Sequence, residues 1–552
     1  MFSKSLFYTA LGATLSFTGA QAQLGTTADV PLDIDGAFEG ASVTGTSFNS
    51  GGSITCNGQT VTVPKNLQVT FPAAFIPFSK FVANAGSYKG YECSIVGNIV
   101  GGKNAVAAQV EISPFATTTS SGYITETKFN GDVTVNVGGT SVTIRINDPN
   151  AVYSAGNAGL GIDPFFTADD VNPSVSSFSG FPMCVPRSAS DPLCPMSNRP
   201  GLKQGSIAIN SPAADANVMA PLIAGDFITF SGYQTGGKIV VFELVAFNIQ
   251  ITTTGIPTYV RMEDANIGVW TADTVNQEIA QTKFVGYTSD SATTVNPIKI
   301  QAIDYDRCTG QPVYRDIATV NVPNTEPRNK FEYRTTAGQK VLYAREYYIT
   351  ANNFNNQPTA NGIPAGSYVT PVTEWIQPED STPGRTPTGH DFSSYGWMIN
   401  GLGRDADGNL WGPLDPFPQS GVTVFDNSQC PPAPAAPATP ATTPAATPSS
   451  TSSAAAAATS KPPVDTVTIA TSSNWASSGG GTLTVQCISS NTNDSLVNMK
   501  MSYVNKDGTT ILSMTAANTG KGVWNFSGNK IKQPTRVTCT SSLGGSASRT
   551  NW

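Results

Sequence analysis

The amino-acid sequence predicts an all-β, multidomain protein, with two regions of antiparallel barrel or sandwich followed by a smaller C-terminal sandwich. Charged residues make up 12% of the 552 residues, about half their usual share, while Gly, Ser, Thr and Asn are abundant. This composition favours strands and turns, because solvent-facing helices need many Glu, Lys and Arg side chains. Apolar residues also recur at every second position in many short segments, which is the spacing of half-buried strands.

The N-terminus has the pattern of a secretory signal peptide. Lys4 supplies a positive charge, Leu6–Phe17 is mostly apolar, and Ala20–Ala22 (Ala-Gln-Ala) is a small-residue cleavage site. We therefore expect a signal peptide over residues 1–22 and a mature start near Gln23. No later run is long and apolar enough to span a bilayer, and the C-terminus lacks the hydrophobic tail of a lipid-anchor signal. No membrane anchor is therefore expected.

Residues 23–156 are predicted to form the first β-domain. Segments 60–63, 67–71 and 91–99 alternate between apolar and polar residues. The Gly138–Thr140 sequence (Gly-Gly-Thr) between two such segments is typical of a hairpin turn. An antiparallel barrel or sandwich is expected here.

Residues 157–200 are predicted to form a connecting loop rich in Pro, Ser and Phe. A long aromatic loop is often functional. The alternative, which we favour, is that its aromatic side chains fill a hydrophobic seam between two β-domains, since aromatic residues in irregular segments are usually buried. These side chains are Phe165, Phe166, Phe178 and Phe181.

Residues 201–430 are predicted to form the second β-region, again a barrel or sandwich. Segments 227–230, 238–247 and 298–305 have strand patterns. The less regular part after residue 326 is interpreted as an extension of this region.

Residues 431–463 are predicted to be a disordered linker. The tract contains only Pro, Ala, Thr, Ser and one Lys. It has almost no apolar area to bury, and its prolines exclude helix and sheet. An extended, semi-stiff extracellular spacer is expected.

Residues 464–552 are predicted to form a small β-sandwich. Val485–Cys487 and Val537–Cys539 each place a cysteine on the inward face of a strand, as in an inter-sheet disulfide. With the closing run Thr540–Ser548, this module resembles the immunoglobulin-like domains found at the ends of many secreted microbial proteins. The resemblance implies a sandwich and carries no catalytic signature.

Eight cysteines fit an oxidising compartment, and the absence of C-x-x-C pairs argues against a metal or redox site. Cys487 and Cys539 lie alone beyond the linker and are expected to pair. Cys184 and Cys194 flank a short Pro-rich loop and are also expected to pair. Of the four cysteines that remain, the simplest pairing is Cys56 with Cys93 and Cys308 with Cys430.

The net charge of the chain and its N-glycosylation motifs indicate which kinds of binding partner to expect. The net charge is −7 and the sequence has no basic tract, so nucleic acid is not an expected partner. Asn493 and Asn525 begin Asn-x-Ser motifs for N-glycosylation. Cell-wall polysaccharide is the partner that we consider.

His390 is the only histidine, which excludes a multi-histidine metal site. A Ser-His-Asp hydrolase would have to use it, with Asp391 and Ser393 nearby. The sequence has no G-x-S-x-G motif. A lone histidine in a Thr/Pro/Gly loop is more often a surface residue, and we favour that interpretation.

Asp405, Asp407 and Asn409 place oxygen ligands at alternate positions, as calcium loops do. The EF-hand pattern fails, however, because glycine stands fourth and Pro416 twelfth. A tight Asp-Gly-Asn turn explains the same residues. No cofactor or metal is predicted.

Glu374 and Asp391 are candidates for a pair of carboxylates that hydrolyses glycosides. Trp375 and Trp397 lie close to them in sequence and are candidate sugar platforms. Sequence spacing alone does not show whether the carboxylates meet in space.

The order of signal peptide, β-rich body, Pro/Ser/Thr linker and small β-module resembles that of modular secreted proteins of filamentous fungi. The first hypothesis is a non-catalytic extracellular or cell-wall protein that binds carbohydrate or another surface ligand. The second is a secreted glycan-active enzyme that uses carboxylates. The third is an accessory protein that binds a small hydrophobic molecule inside a β-barrel.

Overall fold

The computed structural model is all-β, as predicted, and divides into two compact units, Met1–Ala436 and Pro437–Trp552. The residues that the structure describes are 28–113, 118–199, 214–255, 257–271, 281–290, 297–323, 327–336, 340–351, 357–358, 362–378, 383–431, 466–477, 481–490, 499–505, 510–513, 517–518, 522–529, 531–541, 546–550 and 552. The expected signal peptide, nearly all of the expected linker, and Asn493 lie outside these residues.

The large unit begins with a closed five-stranded barrel, called barrel 1. Strands β1, β2, β3, β7 and β6 are hydrogen-bonded in that order, and a parallel β3–β7 contact closes the ring. This Greek-key connectivity, with a short helix before the fourth barrel strand, is that of OB-type barrels. The elements are β1 (Val30–Val43), β2 (Gly52–Cys56), β3 (Gln59–Val63), β4 (Gln68–Phe71), β5 (Ala74–Pro77), α1 (Phe78–Ala83), a 3-10 helix (Ala85–Tyr88), β6 (Glu92–Val100) and β7 (Asn104–Ser113).

Cys56 and Cys93 are buried thiols inside barrel 1, whereas a disulfide between them was expected. They lie on β2 and β6, which flank β1 and do not pair with each other. The Cys56 Sγ donates to the carbonyl oxygen of Cys93 at 3.0 Å. Burial raises the pKa of both thiols.

A second closed barrel, barrel 2, has the same connectivity. Strands β8, β9, β10, β15 and β14 form the ring, closed by a parallel β10–β15 contact. Gly138 and Gly139 take positive φ angles of 57° and 90° in the β9–β10 hairpin, as the turn prediction requires. The five barrel strands are β8 (Thr118–Thr127), β9 (Asp132–Val137), β10 (Thr140–Ile146), β14 (Phe227–Thr235) and β15 (Lys238–Ala246). Outside the ring, β11 (Val175–Ser177) pairs with β15, and β12 (Met183–Cys184) pairs with β13 (Ala220–Pro221).

Barrel 2 changes the expected domain boundaries. Residues 23–156 contain all of barrel 1 but only three strands of barrel 2. The other two barrel strands lie in the expected second region, 201–430. Residues 157–200 are therefore part of an insertion within barrel 2 and not a connection between two domains.

A charged cluster lies where barrel 2 closes. Asp132 on β9 accepts from Arg145 on β10 at 2.8 Å and from Lys238 on β15 at 2.7 Å. Burial alone would raise the pKa of Asp132, but the hydrogen bonds and charges of Lys238 and Arg145 outweigh it and lower the pKa. The cluster therefore links the three strands at the closure.

The phenylalanines of the insertion fill a hydrophobic seam, as favoured from the sequence. All four are buried. The Phe166 ring centroid lies 4.9 Å from that of Phe71 in barrel 1 and 5.8 Å from that of Tyr233 in barrel 2. Phe178 packs 4.6 Å from Tyr287 of the next β-domain.

The described strands between residues 260 and 376 form a sandwich of two four-stranded sheets, ordered β20-β17-β16-β25 and β19-β18-β21-β24. Phe284, Phe331 and Ile349 are among its fully buried side chains. Its eight strands are β16 (Val260–Gly268), β17 (Gln281–Thr288), β18 (Ile298–Tyr305), β19 (Pro312–Val320), β20 (Lys330–Thr336), β21 (Glu346–Thr350), β24 (Ser367–Pro371) and β25 (Glu374–Ile376). Two short strands, β22 (Gln357–Pro358) and β23 (Pro364–Ala365), pair with each other outside these sheets.

An irregular tail, residues 383–431, follows the sandwich. Its last part is held to the β18–β19 turn by the Cys308–Cys430 disulfide. Its elements are a 3-10 helix (Phe392–Ser394), α2 (Gly396–Asn400), β26 (Gly403–Arg404), β27 (Leu410–Trp411) and a 3-10 helix (Asn427–Gln429).

The small unit is a sandwich whose two sheets are joined by Cys487 on β30 and Cys539 on β35. One sheet has the order β28-β30-β34-β33, with β29 also paired to β30, and the other β32-β31-β35-β36. The strands are β28 (Val467–Ile469), β29 (Asn474–Ala476), β30 (Thr482–Ser489), β31 (Met499–Asn505), β32 (Thr510–Ser513), β33 (Ala517–Asn518), β34 (Val523–Asn529), β35 (Pro534–Ser541) and β36 (Ser546–Arg549).

Three of the four expected disulfides are present. The third is Cys184 with Cys194, inside the barrel 2 insertion. A search of the described residues finds no helix with the length and apolarity needed to cross a membrane.

The Phe166→Ala variant should lower the free energy of unfolding of the large unit by about 3–5 kcal/mol, because it leaves a cavity between the two barrels. Chemical denaturation measures this change. Phe129→Ala is the control, since Phe129 is 54% exposed and its removal should change stability by less than about 0.5 kcal/mol. Equal effects of the two variants would contradict the seam.

The Asp132→Asn variant should destabilise the protein by about 3 kcal/mol near neutral pH, because Arg145 loses its buried counter-ion. The folded-state pKa of Asp132 is lowered, so its stabilisation is present above the unfolded-state pKa of about 3.9 and is lost as the pH falls through the folded-state pKa. Denaturation curves recorded at several pH values should therefore converge for the variant and the wild type in acid. A difference that is independent of pH would refute this role.

Candidate ligand-binding cavity

The tail returns to barrel 1 and is fixed there by a buried asparagine. The Asn98 side chain on β6 donates to the carbonyl oxygens of His390 at 2.9 Å and Pro418 at 2.8 Å, and it accepts from the His390 backbone N–H at 2.8 Å. A buried amide with all these bonds made fixes the path of two tail segments on the barrel.

His390 reinforces this attachment. Its ring is only 6% exposed, and Nε2 lies 3.0 Å from both carboxylate oxygens of Asp33 on β1. The expectation of a surface histidine is therefore wrong, because the loop that carries it is folded against barrel 1. At the far end of the tail, Ser420 donates to the Asp29 carboxylate through its N–H and its hydroxyl.

Between the outer face of barrel 1 and the sandwich with its tail lies an open cavity of about 240 Å³. Its lining combines aromatic rings with amide, hydroxyl and charged groups. The side chains that line it include those of Gln68, Thr70, Phe75, Ser94, Gln109, Glu111, Arg345, Trp375 and Trp397.

The floor of the cavity follows from strand register. Glu111 on β7 is paired with Ser94 on β6 and with Thr70 on β4, so these three side chains share one face of the sheet. Their neighbours Ile95 and Val110 point the opposite way, into the barrel core. Ordinary alternation therefore gives barrel 1 a polar outer face at this place.

The aromatic wall is built from two tryptophans. The rings of Trp375 on β25 and Trp397 on α2 lie 5.5 Å apart at 42°. The buried Tyr395 ring packs against both, at 4.9 Å and 5.2 Å, and its hydroxyl accepts from Gln377 at 2.9 Å. Packing on their rear side thus holds the two indoles in a defined orientation.

Arg345 spans the cavity from the sandwich to barrel 1. Its guanidinium lies 3.6 Å from the centroid of the Phe75 ring and donates to the Gln68 side chain at 2.6 Å. It also donates to Glu346 at 2.9 Å. The arginine is therefore held by a stacked ring, an amide and a counter-ion.

Glu111 presents its carboxylate to the cavity. The residue is exposed to solvent. The surrounding protein nevertheless raises the pKa of Glu111 through desolvation, opposed by a 3.5 Å hydrogen bond from the Ser113 hydroxyl and assisted by the charges of Glu92 and Asp35.

The carboxylates singled out in the sequence lie elsewhere. Glu374 is exposed and precedes Trp375 on β25, so alternation directs it away from the cavity. Asp391 caps a 3-10 helix and pairs with Lys340 at 2.6 Å. Burial would raise its pKa, but the bonds from Lys340 and Ser393 lower it.

The calcium candidate forms a turn between β26 and β27. The Asp405 carboxylate accepts from the backbone N–H groups of Asp407 and Asn409 and from the Trp411 indole at 2.9 Å. Across the described parts of the chain, no group of three or more His, Cys, Asp or Glu side chains is placed to hold a metal ion. Asn525 lies exposed on β34.

Sequence reasoning found the two tryptophans but missed Glu111, Arg345 and Gln109. The tryptophans stand out by residue type. Gln109 and Glu111 are ordinary polar positions of β7, Arg345 lies in the bend just before β21, and none of the three carries a local signal. No family model matches the sequence, and no curated protein matches it.

The Asn98→Ala variant should loosen the tail, because three backbone groups of His390 and Pro418 lose their partner, at a cost on the order of 3 kcal/mol. Hydrogen exchange measured by mass spectrometry should show faster exchange in peptides that cover residues 390–420. Asn104→Ala, at an exposed strand end, is the control and should leave this exchange unchanged. Unchanged exchange in the Asn98 variant would show that this asparagine does not hold the tail.

Proposed function

We propose that the protein is a secreted, extracellular or cell-wall-associated binding protein that recognises carbohydrate without catalysis. The cavity that combines Trp375 and Trp397 with fixed polar groups is the observation that carries this proposal. Three disulfides are compatible with an extracellular protein.

The cavity lining matches the chemistry of a sugar. Sugar rings have apolar C–H faces, which pack on indole rings, and hydroxyls around their edges, which need both donors and acceptors. Gln109 and Ser94 supply an amide and a hydroxyl on the cavity floor. Among the described contacts, neither side chain has a protein hydrogen-bond partner, so both remain available to a ligand.

Binding is better supported than glycoside hydrolysis. Hydrolysis by carboxylates requires two of them on opposite sides of the scissile bond. Glu111 is the one carboxylate among the described residues that line the cavity, and the candidates Glu374 and Asp391 lie outside it. The buried Ile54, Val61 and other core side chains fill the barrel interior, so the hypothesis of a hydrophobic ligand inside a barrel gains no support.

The remaining parts of the chain fit the same proposal. The Pro/Ala/Ser/Thr tract would act as an extracellular tether between the large unit and the immunoglobulin-like module. Asn525, which is exposed, would carry N-linked glycan. The cell-wall location and the resemblance to modular fungal proteins belong to this proposal as well.

Pull-down of the full-length protein on chitin, β-glucan and mannan tests the proposal. At least one polymer should retain it, and Trp397→Ala should weaken retention about tenfold, or about 1.4 kcal/mol, because one stacking surface is lost. Tyr123→Ala is the control, since Tyr123 is an aromatic residue 56% exposed on barrel 2. Equal binding by the two variants would refute the role of the cavity, and failure to bind any of these polymers or any soluble oligosaccharide would refute the proposal.

A further inference from the structure

Of the charged side chains that line the cavity, one has a counter-ion in the part of the protein that the structure describes and the other has none there. Among the described residues of its lining, Arg345 and Glu111 are the charged ones. Arg345 is already engaged by Glu346, the Gln68 amide and the Phe75 ring. Its positive charge is therefore largely compensated before any ligand arrives.

Glu111 has no such compensation. Within the described part of the chain, no Lys or Arg forms an ion pair with it, and its side chain accepts a long, 3.5 Å hydrogen bond from the Ser113 hydroxyl. Strand register places Asp35 opposite Ser94 and Glu92 opposite Ser113, on the same outer face of barrel 1. The charges around Glu111 are thus of its own sign, which leaves the cavity floor negative.

The aromatic wall favours a cation as well. The faces of indole rings attract ammonium groups, and the attraction grows when the site is partly desolvated. Trp375 and Trp397 line the same cavity as Glu111. A ligand with an ammonium group beside an apolar ring face would satisfy the carboxylate and the indoles together.

From this geometry we propose that the cavity selects glycans that carry free amino groups, of which β-linked glucosamine oligomers are the simplest example. The inference rests on the proposed carbohydrate binding and narrows it to one class of sugar. The ammonium group pairs with Glu111, while the sugar ring packs on the tryptophans. Acetylation of the amine removes the charge and therefore the pairing, and an acidic sugar is repelled by the floor.

The test is calorimetric titration of the full-length protein at about pH 6, where a sugar amine still carries a proton. The ligands are oligomers of glucosamine, N-acetylglucosamine and glucose of equal length. The wild type should bind the glucosamine oligomer about tenfold more tightly than the other two, and added salt should reduce the preference. The Glu111→Gln variant should bind all three alike.

Glu374→Gln is the matched control, because Glu374 is an exposed carboxylate next to Trp375 that does not line the cavity; it should keep the wild-type preference. If the wild type binds all three oligomers equally, or Glu111→Gln keeps the preference, the amino-sugar inference is wrong while carbohydrate binding stands. If no oligomer binds and the polysaccharide pull-down also fails, both proposals fall.

Discussion

A closed five-stranded barrel has no open sheet edge, so two barrels can be held together only by side chains on their outer faces or by segments between their strands. The insertion in barrel 2 meets this constraint with Phe166, which packs on Phe71 of barrel 1 and Tyr233 of barrel 2. A few buried rings of this size supply much of the apolar area that an interface needs. The large unit therefore depends on a segment that belongs to neither barrel wall.

The cavity is a consequence of the same construction. Its floor is the outer face of barrel 1 and its wall comes from the sandwich and tail, so it exists only while these parts stay together. Arg345 and Asn98 make that contact from opposite sides: the arginine reaches Gln68 from the sandwich, and the asparagine holds the tail at His390. Both contacts are polar and leave a cavity between barrel 1 and the sandwich. Close apolar packing across the whole interface would fill that space.

The all-β class, the hairpin at Gly138 and three disulfides could be predicted, because each rests on local alternation, turn chemistry or simple cysteine position. The closure of barrel 2 could not, since β10 and β15 meet across the whole of residues 147–237. The burial of His390 depends on the same kind of long-range contact, with Asp33 near the other end of the unit. Glu111 was missed because a polar residue on a half-exposed strand looks the same whether it faces solvent or a cavity.

The low charge content of the chain gives Glu111 its significance. Charged residues make up only 12% of the chain. A carboxylate without a basic partner is therefore more noticeable here than on a surface rich in charged side chains. Asp132, Asp226 and Asp391, which are partly or fully buried, each have a basic side chain within ion-pair distance. Glu111 differs from them in facing an open cavity with tryptophan walls, and such a carboxylate is most readily explained when its partner is supplied by a ligand.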